Sequence, residues 1–133
     1  MRSTLIDTGS IVGLFNSADK YHAHAERFFA SLSGTDRLFT TWAVVTECSY
    51  ALRRNREAFY DWLLSGAMVV ADFGLDDLAM MRAWSGRYRD REVDFADASL
   101  AWLATIQKLI LSPQRISTIS RLTGCQIERS LKI

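Results

Sequence analysis

Three carboxylates, Asp7, Glu47 and Asp97, each stand at the edge of an apolar segment. Asp7 closes Leu5-Ile6-Asp7-Thr8, and Glu47 ends Thr41-Trp42-Ala43-Val44-Val45-Thr46-Glu47. Asp97 lies in Val93-Asp94-Phe95-Ala96-Asp97-Ala98. Carboxylates that meet among apolar elements repel one another by roughly 4 kcal/mol per close pair at an effective dielectric near 20. A bound divalent cation is the usual remedy, and an all-oxygen donor set suits Mg²⁺, which keeps waters of its own. A fourth segment, Ile116-Ser117-Thr118-Ile119, also reads as a strand aimed at a loop, but it delivers Ser120 in place of an acid.

Each acid has a competing structural explanation. Asp97 shares its helical stripe with Leu100, Ala101 and Ala104, so its carboxylate faces the core. A charge there is costly unless it meets a cation, either a metal or a buried arginine. Glu47 shares a face with Val44 and Ala51, which predicts a position at or near the buried side; the alternative is a boundary residue with its head in water. Asp7 directly follows the first strand and could also cap the helix that begins near Ser10, two roles that are compatible. Asp94, three residues before Asp97, could cap that helix or touch the ion from outside. Asp72 is a rival acid, expected in the turn after the third strand. His22 and His24 stand at i and i+2 and diverge on a helix, so they make no ligand pair. The tryptophans at 42, 62, 84 and 102 fall in helical apolar patterns and are expected in the core. Arg53, Arg54 and Arg56, and then Arg82, Arg87, Arg89 and Arg91, could hold a phosphate backbone near the acids or simply face solvent.

The elements that must position these groups alternate along the chain. Strands are expected at Ser3 to Ile6, Leu38 to Thr41, Met68 to Ala71 and Ile116 to Ile119, with a last edge strand at Cys125 to Glu128. Helices are expected from Ser10, from an N-cap at Asp19 to Leu32, and over Trp42 to Leu52, Glu57 to Leu64, Asp76 to Tyr88 and Phe95 to Ile106. Such alternation predicts an α/β fold, a central parallel sheet of four to five strands with helices on both faces. Ligands of such sheets sit beyond the carboxyl ends of the strands, where Asp7 and Ser120 fall. The 133 residues, 49% hydrophobic, predict a single domain over 1–133. With 16 Lys+Arg against 15 Asp+Glu, a nucleic-acid partner would need a local basic patch. No apolar run is long enough to span a membrane, and no leader pattern opens the chain, so a cytoplasmic protein with reduced Cys48 and Cys125 is expected.

The succession Leu-Ile-Asp-Thr-Gly-Ser, Thr-Thr-Trp-Ala-Val-Val-Thr-Glu and Arg-Tyr-Arg-Asp-Arg-Glu-Val-Asp-Phe-Ala-Asp-Ala-Ser-Leu resembles the PIN-domain family. It is particularly similar to the VapC-type ribonuclease toxins of toxin–antitoxin pairs, in the right order over nearly the whole chain. Asp-Phe-Ala-Asp-Ala-Ser-Leu is the most specific part. Carried over by residue, the resemblance makes Asp7, Glu47 and Asp97 the catalytic acids and metal ligands, with Asp94 an acid often present beside them. Thr118 matches a hydroxyl residue of the fourth motif, and Thr8, Thr118 and Ser120 would line the pocket. Ser120 stands where the family usually has a further aspartate, and Leu122-Thr123-Gly124 replaces a customary Asp-Phe. The resemblance implies a magnesium- or manganese-dependent endoribonuclease, a homodimer, and a small antitoxin that blocks the acidic pocket. Arg53, Arg54, Arg87 and Arg89 are then the candidates for holding RNA. A neutral hydroxyl at Ser120 predicts weakened metal binding and reduced cleavage.

Other classes compete. The fold could serve as a catalytically impaired module that binds RNA or a protein partner; metal-dependent cutting separates the two. Asp7-Thr8-Gly9-Ser10 also suggests an aspartic protease, but that needs a mainly β chain. A phosphatase nucleophile at Asp7 would want a second acid two residues on, where Gly9 stands.

Overall fold

The computed structural model of the chain describes residues 3–88, 92–110 and 116–119, with side chains over 3–88 and 92–107. Its centre is a four-stranded, wholly parallel sheet: β1 (Ser3–Ile6), β2 (Arg37–Thr41), β3 (Val69–Ala71) and β4 (Ile116–Ile119), in the order β3-β2-β1-β4. The register pairs Leu5 with both Phe39 and Thr118, and Ile6 with Ile119. β1 lies in the middle and is buried along its whole length, as a short apolar run in a parallel sheet should be. Thr40 is fully buried there too, and its hydroxyl donates to the Ile6 carbonyl at 2.8 Å.

Among the described residues six helices connect the strands: α1 (Thr8–Phe15), α2 (His22–Ala30), α3 (Trp42–Ala51), α4 (Arg56–Leu64), α5 (Leu75–Arg87) and α6 (Phe95–Ile110). In the order β3-β2-β1-β4, the right-handed rule for parallel crossovers assigns α1 to α4 to one face and α5 and α6 to the other. α1 packs against α2 and α3, and α5 against α6, while α3 also meets α6. α6 is apolar almost all round and lies buried from Ala96 to Ala104, the pattern of a helix enclosed on several sides. The α/β reading is therefore borne out, with four strands among the described residues. The edge strand expected near Cys125 lies outside them.

Three local expectations change. α2 starts at His22 and not at Asp19, because the Asp19 carboxylate closes a turn onto the Tyr21 N–H at 2.9 Å. The apolar spacing of α5 would put Leu78 and Met81 together on its inward side, but Leu78 is 41% exposed and Met81 alone is buried. Trp42 is 52% exposed, whereas Trp102 is buried and Trp62 and Trp84 are partly so. Trp42 opens α3 two residues before buried Val44, which puts it on the opposite side of the helix from that inward-facing residue.

Candidate active site

The end of β1 delivers Asp7 as the N-cap of α1. Its Oδ1 accepts from the Ser10 backbone N–H at 3.0 Å and from the Ser10 hydroxyl at 2.8 Å, and the side chain is buried. The cap is thus observed, and it holds the carboxylate buried at the end of β1. Thr41 ends β2 and caps α3, and one turn further Glu47 stands half-buried. Ala51, expected on the same buried face, is exposed; Val44, Cys48 and Leu52 form the inward stripe. Glu47 Oε2 accepts from the Thr8 hydroxyl at 2.8 Å, joining the first and second acidic motifs across the sheet edge.

Asp97 sits buried in the first turn of α6, and Asp94 precedes it. The two aspartates cap reciprocally. The Asp97 N–H donates to Asp94 Oδ1 at 2.8 Å, and the Asp94 N–H donates to Asp97 Oδ2 at 3.3 Å. Asp94 itself is exposed, which fits a cap that also borders a pocket.

Electrostatics show that the four acids share one space. Burial pushes the Asp97 carboxyl up to about 7, and the charges of Asp94 and Asp7 act in the same direction. Burial also raises Glu47; the Thr8 hydroxyl opposes this, while Asp94 and Asp7 add to it. Burial, then Glu47 and Asp7, push the neighbouring Cys48 thiol upward, so that sulfur is held as an inert thiol. Asp7 and Asp97 therefore lie on the same side of the molecule. Among the described residues, no arginine or lysine pairs with Glu47, Asp94 or Asp97. The buried ion pair that could have explained Asp97 finds no partner there.

These groups fit a hard cation in a particular way. Among the described residues, no three carboxylates stand so close that they alone enclose one ion. Their oxygens are instead held by Ser10, Thr8 and one another. Mg²⁺ is usually bound by one or two carboxylates with its remaining positions filled by water. An oxygen-only, mutually repelling cluster of this kind fits that mode and not an all-protein cage.

The other expected site residues fall unevenly. Thr8 meets the acid cluster through its bond to Glu47. Thr118 lies on β4 beside Leu5, with its side chain outside the described residues, as Ser120 and Arg89 are altogether. Arg53 and Arg54 are exposed at the far end of α3, around a cleft with Asn16 and Asn55. Arg56 is tied by its Nε to the Ser49 carbonyl at 2.9 Å. Arg87 is exposed on α5 beside Arg82. Asp72 is exposed in the loop after β3. His22 bonds the Gly13 carbonyl at 2.8 Å and meets Glu26, so it forms no pair with exposed His24.

Sequence reasoning missed the Thr41–Ser99 bond. It is a buried 2.6 Å hydroxyl pair that ties the start of α3 to α6. Its only signal was a threonine directly before a helix.

Comparison with known proteins agrees with this geometry. The PIN domain family model matches residues 4–112. Among solved structures, the chain is similar to Mycobacterium tuberculosis VapC20, described as a sarcin-ricin loop cleaving toxin. Identity is 24%, the match covers 78% of this chain and 82% of that one, and the TM-score is 0.68. Comparison with curated proteins found no significant match. With four-fifths of its length matched to one family and the acids of all three motifs gathered at one sheet end, the chain belongs to the PIN domain family.

Proposed function

We propose that this protein is a metal-dependent endoribonuclease of the VapC type, the toxin of a toxin–antitoxin pair. The observation that carries the reading is the gathering of Asp7, Glu47, Asp94 and Asp97 from three elements, where burial and then the charges of Asp94 and Asp7 raise both Glu47 and Asp97. Asp7 and Asp97 would hold Mg²⁺ or Mn²⁺, with Glu47 bound directly or through water and Asp94 at the margin. The ion supplies charge neutralisation at the scissile phosphate and a more acidic water for in-line attack. The chain's own part is orientation: Ser10 fixes Asp7, the Thr8 hydroxyl fixes Glu47, and the Asp94 backbone N–H fixes the Asp97 carboxylate. Arg53, Arg54, Arg87 and Arg89 would contact the RNA backbone. A homodimer, a cytoplasmic location and a small antitoxin that covers the acids complete the proposal.

Ser120 favours a second reading, a PIN-fold module that binds RNA or a partner with little or no turnover, since serine replaces an acid beside three intact motifs. An RNA cleavage screen with and without Mg²⁺ or Mn²⁺ tests both, with Asp97→Asn as control. Cutting that needs the ion and disappears in Asp97→Asn supports the nuclease. RNA binding with no cutting supports the module. Ser120→Asp should raise cleavage and ion affinity; unchanged values would remove position 120 from the site.

A further inference from the structure

Trp42 and Phe95 each open a helix, α3 and α6, and each leaves about half of its surface in solvent, 52% and 54%. They line one cleft of about 380 Å³ together with Ala43, Thr46, Glu47 and Phe73. Phe73 packs against Phe95 at 5.7 Å between ring centroids, and against buried Trp102 at 5.7 Å. Phe95 is thus seated on the core through Phe73, while it and Trp42 keep half of their surface open. Two large aromatics exposed together beside an acidic cluster form a patch that solvent alone does not favour.

We propose that Trp42 and Phe95 form a stacking platform for one unpaired base of the RNA, next to the phosphodiester held at the acids. This rests on reading the acid cluster as an RNA-cleaving site. Glu47 belongs both to the cleft wall and to the cluster, so the occupant of one is the immediate neighbour of the other. Among the described residues the cleft lining contains no basic side chain, which disfavours a phosphate there and suits an uncharged ring with a π-face. Its volume lies in the range of sites that take small ligands, about 300–1,000 Å³. A base inside a duplex cannot present its face to such a wall, so the recognised strand is single-stranded at this position.

Binding is measured on the full chain in EDTA, where no divalent ion supports cleavage, with fluorescently labelled short single-stranded RNA of random sequence. Trp42→Ala, Trp42→Leu and Phe95→Ala should each weaken binding at least about fivefold, the lower end of one base–aromatic stack. Trp42→Tyr should keep near-parental affinity, and circular dichroism should show all four folded. Trp42→Leu keeps apolar cover without an aromatic face, so its loss of affinity separates stacking from folding. Parental affinity in Trp42→Leu and Phe95→Ala overturns the platform, as does failure of the parent to bind single strands. A change in self-association alone, read by sedimentation, also overturns it and assigns the cleft to a second copy of the chain. If stacking-dependent binding holds but added Mg²⁺ or Mn²⁺ yields no cutting, the nuclease reading fails and the platform stands. If cutting occurs with an unchanged KM in Trp42→Leu, the platform alone fails.

Discussion

Thr8 and Glu47, 39 residues apart in sequence, meet through a 2.8 Å bond from the threonine hydroxyl to Oε2. Thr8 is the first residue of α1 and Glu47 lies on α3, so the bond locks the motif after β1 to the motif after β2. It also works against the burial that raises the Glu47 carboxyl, since a donated hydrogen bond favours the charged form.

Removing that hydroxyl should therefore push Glu47 further up. In Thr8→Val the carboxyl titrates at higher pH than in the parent, and Thr8→Ser restores it; carboxyl carbon NMR reads both. Loss of one hydrogen bond to a charged, half-buried group should cost about 1.5 kcal/mol, at the lower end for such bonds, seen by denaturant unfolding. An unmoved Glu47 titration would mean that the contact does not persist in solution.

Asp7 separates a structural from a chemical role. Asp7→Asn retains an oxygen for the Ser10 N–H and hydroxyl, so folding should change little while divalent-ion binding by calorimetry is lost. Asp7→Ala should also lose ion binding, and in addition about 1 kcal/mol of stability with the missing cap. The two Ser10 bonds are what alanine forfeits. Equal stability of the two variants would show that Asp7 does not cap α1.

Much of the fold was legible because each parallel strand is a short apolar run bounded by a turn, and each helix carries an apolar stripe. β1 and β4 fall where expected to the residue, Ser3–Ile6 and Ile116–Ile119. Asp97 was legible for the same reason, as the carboxylate on a stripe that is otherwise Leu100, Ala101 and Ala104. Trp42 was not, since helical periodicity gives a face but says nothing about whether a neighbour covers it. Asp19 failed through local competition, its side chain serving a turn before the helix could start. The Thr41–Ser99 contact spans 58 residues and leaves no periodic trace at all.

That contact makes a directional prediction. Ser99 Oγ donates its one proton to the Ala96 carbonyl at 2.7 Å, so in the Thr41–Ser99 pair the threonine must donate. Thr41 Oγ1 then has lone pairs left for the Val44 N–H, the cap of α3. Thr41→Val removes donor and cap together and strands Ser99, so about 1–3 kcal/mol of stability should go. Ser99→Ala leaves Thr41 able to cap but without an acceptor for its proton, and should cost less. Measured unfolding energies in the reverse order would refute this proton assignment.

Asp97 also makes the stability of the metal-free protein depend on pH with a definite sign. Its folded value of about 7 lies above its ordinary value of 3.8, so between those pH values the folded chain binds more protons than the unfolded one. Stability from this group is complete below about 3.8, declines as pH rises, and is lost above about 7. Glu47 is shifted in the same direction and adds to the slope. In EDTA, lowering the pH from 8 to 6 should therefore raise the melting temperature of the parent more than that of Asp97→Asn, whose amide does not titrate. Added Mg²⁺ should flatten the parent's dependence and stabilise it most at the alkaline end, because the ion competes with protons for the same oxygens. If Asp97→Asn and the parent follow the same curve in EDTA, the carboxylate is not crowded by its neighbours, and the case for a cation at this cluster is lost with it.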